Sequence, residues 1–106
     1  MPSITTKNRY YVVINLKGTS GLKCGCGSWL AHWRHFTGSQ RATCAVLGCG
    51  QTASVGAHVL LPDRRSNRQW WIAPFCFSHN HHKNEDMMLL NANITLVSAN
   101  RSYTCR

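Results

Sequence analysis

Acidic side chains are almost missing from this sequence: Asp63, Glu85 and Asp86 are the only three in 106 residues. A glycosidase built on two carboxylates needs a separated pair, and the only close acids here are neighbours in the chain. Calcium sites, which take several oxygen ligands, are disfavoured for the same reason. No GxxxxGK(S/T) or GxGxxG phosphate loop occurs. No apolar run approaches the length that crosses a bilayer, so no membrane partner is expected. The run Tyr10–Leu16 follows Lys7 and Arg9 but is not followed by a small-residue cleavage site. It reads as a strand, and the protein as intracellular and cytoplasmic. Internal repeats, low-complexity tracts and linkers are also absent, so residues 1–106 read as one domain.

What is present is basic and rich in cysteine and histidine. Twelve Lys and Arg against three acids give a formal charge of +9. Such an imbalance favours a polyanionic partner, nucleic acid first and an acidic surface second. A basic surface kept only for solubility is the plainer alternative. Hydrophobic residues make up 43% of the chain, enough for a folding sequence rather than a disordered tail. Six cysteines in an intracellular chain point to metal, although six also suit three disulfides of a secreted scaffold. The six histidines favour metal, because a disulfide framework has no use for His beside Cys.

The strongest local signal is Cys44 and Cys49, a CxxxxC pair, followed after 26 residues by Cys76 and His79, a CxxH pair. Two close pairs deliver four soft or borderline ligands to a tetrahedral Zn²⁺ from two short turns of chain. Free core cysteines with a surface histidine are the alternative. Cys24, Cys26 and Cys105, with His32 or His35, make a candidate second zinc site; buried thiols are the other reading.

The remaining pattern places these pairs on elements. Residues 1–9 are polar and read as frayed. The glycine-rich stretch Lys17–Gly27 reads as a loop, and Ser28 as the N-cap of a helix of about ten residues ending at Gly38. Trp29, Leu30, Trp33 and Phe36 fall on one face of that helix. Val55–Leu61 and Gln69–Ala73 read as strands joined by the basic loop Pro62–Arg68, with Pro74 breaking the second. Ser78–Leu90 is expected as a helix and Ile94–Val97 as a last strand. Trp70 and Trp71, adjacent on a strand, must face opposite sides. Knuckle, hairpin and helix start carrying the second pair make a treble-clef arrangement. The expected fold is therefore α+β: a zinc-stabilised ββα core over about 44–90 with an added N-terminal strand and helix.

The segments Gly56-Ala57-His58-Val59, Trp71-Ile72-Ala73-Pro74-Phe75-Cys76 and Ser78-His79-Asn80 resemble the HNH, or His-Me finger, endonuclease superfamily, over residues 44 to about 90. The wider pattern includes Cys24-Gly25-Cys26-Gly27-Ser28-Trp29, His32-Trp33 and Leu96-Val97-Ser98-Ala99-Asn100. It is similar to a small group of proteins built on the same zinc core. The superfamily resemblance implies His58 as general base, with Asn80, His81, His82 and Asn84 as candidates to hold a Mg²⁺ or other divalent cation against the scissile phosphate. It implies phosphate contacts from Arg64, Arg65, Arg68 and Lys83. The chain departs from the family at Ala57, where most members carry an acid, and at Trp71, where an Asn is usual. His58 as a ligand of a second zinc, or as a core histidine, is the alternative. Three functions follow as expectations: a metal-dependent nuclease, a non-catalytic nucleic-acid-binding module, and an interaction protein using the zinc fold as a scaffold.

Overall fold

The computed structural model describes residues 3–5, 10–15, 28–38, 43–61, 70–80 and 87–99. These form one α-helix and an antiparallel sheet. The strands are β1 (Ser3–Thr5), β2 (Val12–Asn15), β3 (Val55–Leu60), β4 (Trp71–Phe75), β5 (Met87–Leu89) and β6 (Thr95–Ser98), with α1 (Trp29–Thr37) between β2 and β3. Their order across the sheet is β1-β6-β4-β3-β2-β5. The hairpin β3–β4 sits at its centre, in a register that opposes His58 to Ile72 and Val59 to Trp71.

Helix α1 starts and stops where its capping residues dictate. The Ser28 hydroxyl accepts the Ala31 N–H at 3.0 Å, and Gly38 takes the left-handed conformation with its N–H donated to the Arg34 carbonyl. The helix lies across β3, β4 and β6. Trp29 and Trp33 pack there on Ile72 and Val97. Two side chains pin it from 60 or more residues away in sequence: Trp33 Nε1 donates to the Thr95 carbonyl at 2.7 Å, and His32 Nε2 to the Ser98 carbonyl at 3.1 Å. Alternation in the strands sends the other side chains to the opposite face. There Val13, Ala57, Val59, Trp71, Ala73, Phe75 and Leu96 form the larger core with Cys44, Val46, Cys76, Leu90 and Ile94.

Four expectations change. The first nine residues are not all frayed: Ser3–Thr5 pairs with β6. Pro74 does not break its strand but lies inside β4, opposite Gly56. It is tolerated because the β4–β6 register runs over Trp71 and Ile72, so no ladder partner on that side requires a Pro74 N–H. The helix expected over Ser78–Leu90 is absent at its end, where Met87–Leu89 pairs with β2. At its start, residues 77–80 form a turn, closed by the Asn80 N–H to the Cys76 carbonyl. The ββα core is thus a hairpin embedded in a six-stranded sheet, and the added N-terminal part supplies two strands and the helix. The α+β class stands, with strand content dominant.

Candidate metal centre

The Cys44–Cys49 knuckle is held by main-chain bonds on both sides. Ala45 N–H reaches the Pro74 carbonyl at 2.8 Å, Leu47 N–H the Leu89 carbonyl, and Asn91 N–H the Ala45 carbonyl. Gly48, with φ of 79°, makes the left-handed step that turns Cys49 back toward Cys44. Cys76 directly follows β4, and His79 comes three residues later in the turn 77–80. The hairpin therefore carries the second pair to the first.

The four ligand atoms of Cys44, Cys49, Cys76 and His79 lie within 4.8 Å of one another. His79 Nδ1 is 3.2 Å from Cys76 Sγ and 3.6 Å from Cys44 Sγ, and Cys49 Sγ is 4.0 Å from Cys76 Sγ. A tetrahedral Zn²⁺ with ordinary bond lengths separates two sulfurs by about 3.8 Å and a sulfur from a nitrogen by about 3.6 Å. The cluster spans those values, so it can hold a metal ion of that size. A disulfide needs about 2.05 Å between sulfurs, and Cys44, Cys49 and Cys76 are free thiols. Burial pushes the Cys44 thiol up to about 11. For Cys76 burial acts in the same direction but is outweighed by the His79 and Ser78 N–H groups and the neighbouring sulfurs, leaving it below the usual value. A cation among these sulfurs would supply the charge that burial denies the thiolates.

The other candidates among the described residues are not part of this cluster. His58 is on β3, but on the α1 face of the sheet, opposite the cysteine cluster. It is 3% exposed. Its ring lies edge-on between Trp29, at 4.7 Å between centroids, and Trp70, at 5.8 Å. Burial, with a contribution from His32, pushes its pKa down to about 4. His32 is buried on α1 and also lowered, chiefly by burial and despite its bond to Ser98; His35 is exposed. Asn80 closes the turn after the cluster. Cys24, Cys26, Cys105, Arg64, Arg65, Arg68, His81, His82, Lys83 and Asn84 lie outside the described residues. A residue that pattern reading passed over is Gly56. A Cβ there would stand 2.4 Å from the Trp29 carbonyl carbon, so this glycine is what lets α1 touch the sheet. Its signal was a glycine inside a strand pattern.

The buried histidine has a consequence for acid stability. The unfolded chain takes up a proton at His58 near pH 6.5, whereas the folded chain resists until about 4. Stability is therefore full above about pH 6.5 and falls as pH drops through that window, by up to about 3 kcal/mol from this one group. His58→Phe keeps a ring between the tryptophans and removes the titration. Urea midpoints measured from pH 7 to 4.5 are expected to fall less steeply for the variant. Parallel curves would show that His58 contributes nothing to acid sensitivity.

Comparison with protein-family models, with curated proteins and with solved structures finds no match to the chain. Among the described residues, no helix is long and apolar enough to cross a membrane.

Proposed function

We propose that this chain is a treble-clef-type module in which Cys44, Cys49, Cys76 and His79 hold a structural Zn²⁺, and that it binds nucleic acid without cleaving it. The convergence of two ligand pairs from a knuckle and a hairpin end carries the zinc assignment. Twelve cationic residues against three acids support the partner. The HNH-type hydrolytic reading uses the same cluster and hairpin, with His58 as base and Asn80 toward a second cation. Against it stands the burial of His58 between two indoles. A base with a pKa near 4 is also a poor proton acceptor at neutral pH.

Binding to labelled DNA and RNA, followed by anisotropy at increasing salt, tests the proposal. A steep fall in affinity is expected, shallower by up to about 0.9 log units per log unit of salt for each of Arg64, Arg65 and Arg68 that contacts phosphate and is changed to Ala. A salt slope near zero removes the nucleic-acid partner. A plasmid nicking assay with Mg²⁺, Mn²⁺ or Ni²⁺ is expected to show no cleavage. Nicking by the wild type that His58→Ala abolishes would put the hydrolytic reading in its place.

A further inference from the structure

The ring pairs Trp29–His58 and His58–Trp70, at interplanar angles of 79° and 86°, form a train from beneath α1 outward. Its outer member is fixed at the main chain as well. The Trp70 carbonyl accepts the Ala99 N–H at 2.9 Å, and the next residue, Trp71, is 3% exposed at the start of β4. Trp70 is nevertheless 39% exposed. Its indole is thus held in place by groups behind it while part of its surface stays in water. The other member of the pair, Trp71, supplies the core, so Trp70 is not spent on packing the larger hydrophobic cluster.

We propose that Trp70 is a base-stacking platform, and that the chain takes single-stranded rather than duplex nucleic acid at this surface. The inference rests on the nucleic-acid reading above and adds which form is bound and by what. A flat aromatic face can stack only on a base whose own face is free, which a duplex does not offer. The polyanionic partner follows from charge. The chain carries +9 overall, and the sequence immediately before Trp70 holds Arg64, Arg65 and Arg68 against Asp63. The His58 ring packs edge-on against this indole from the α1 side, with centroids 5.8 Å apart.

Anisotropy with a short labelled oligonucleotide decides the matter. The wild type is measured on the single strand, on the same sequence as a duplex, and on an abasic strand with the same phosphates. Trp70→Ala and Trp70→Phe are measured on the single strand, with a cooperative thermal unfolding transition as the check on folding. Trp70→Ala is expected to lose roughly five- to hundred-fold in affinity, with Trp70→Phe keeping most of it. The salt slope should stay unchanged, because phosphate contacts remain. The wild type should bind the abasic strand about as weakly as Trp70→Ala binds the normal one. If Trp70→Ala fails to fold, the abasic comparison alone decides. Equal binding of normal and abasic strands, or of wild type and a folded Trp70→Ala, overturns the platform while leaving nucleic-acid binding intact. Preference for the duplex overturns the single-strand assignment. No binding to any of the three overturns this inference and the proposed function together, and leaves Trp70 to a protein partner.

Discussion

Cys76→Ser and Cys44→Ser are each expected to yield a protein with no bound metal at this cluster and no folded population. The larger core does not stand apart from the cluster, because Cys44 and Cys76 are themselves members of it. The knuckle between Cys44 and Cys49 bonds to β4 through Pro74 and to the β5 segment through Leu89 and Asn91. Losing the ion therefore frees the segment that closes one face of the sheet. Structural zinc in small domains contributes an apparent 10–16 kcal/mol, roughly, to folding. Whole domains of this size are stable by only about 5–15 kcal/mol. Removal of one ligand should therefore exhaust the margin. Elemental analysis of the purified wild type is expected to find zinc, and far-UV circular dichroism of either variant to show an unfolded chain. His79→Cys supplies a fourth thiolate at the same position and is expected to keep metal and fold. Wild-type protein that folds fully after dialysis against a strong chelator would show that the four residues meet for packing reasons alone.

The same cluster marks the part of the molecule most legible in the sequence. Ligand spacing is a local code: each pair lies within a few residues, and only one long-range closure is needed. Helix α1 was legible for a similar reason, since Ser28 and Gly38 are capping signals read within four residues of the ends they define. Strand β5 was not. Met87, Met88 and Leu89 have good helix propensity and no alternation, and they become a strand because β2 offers an edge to pair with. That decision is made by Val12–Ile14, more than 70 residues earlier. Pro74 misled in the opposite sense. A proline is a strand breaker only where a neighbouring strand needs its N–H, and where β6 stops is not written near Pro74. His58 is the sharpest case. The resemblance implied a base at His58, with a second-zinc ligand or a core histidine as the alternative; its burial depends on α1, which no residue near His58 names except Gly56.

Gly56→Ala is the substitution expected to show how much rests on that approach. The added Cβ would meet the Trp29 carbonyl carbon at 2.4 Å, the Leu30 nitrogen at 2.5 Å and the Trp29 carbonyl oxygen at 2.7 Å. All three are main-chain atoms in the first turn of α1, so no side-chain rotation relieves the clash. The helix cannot simply lift, because Trp33 and His32 are tied to the carbonyls of Thr95 and Ser98. Overpacking with side chains that can adjust costs about 1–3 kcal/mol. A clash with anchored backbone belongs at or above the top of that range, and for a domain of this size the melting temperature should fall by roughly 15 °C. Gly50→Ala is the control: a Cβ at Gly50 meets nothing within 4 Å, so its melting temperature should barely move. Equal melting of the two variants would mean that α1 does not need the glycine. The damage should also be one-sided. Gly56 and His58 share the α1 face, while the cysteines pack on the other, so Gly56→Ala is expected to retain its metal while its near-UV tryptophan signal changes. A helix displaced from Gly56 uncovers His58 and loosens the stack behind Trp70, so in this variant single-strand affinity should fall even though every cationic residue and every metal ligand is intact.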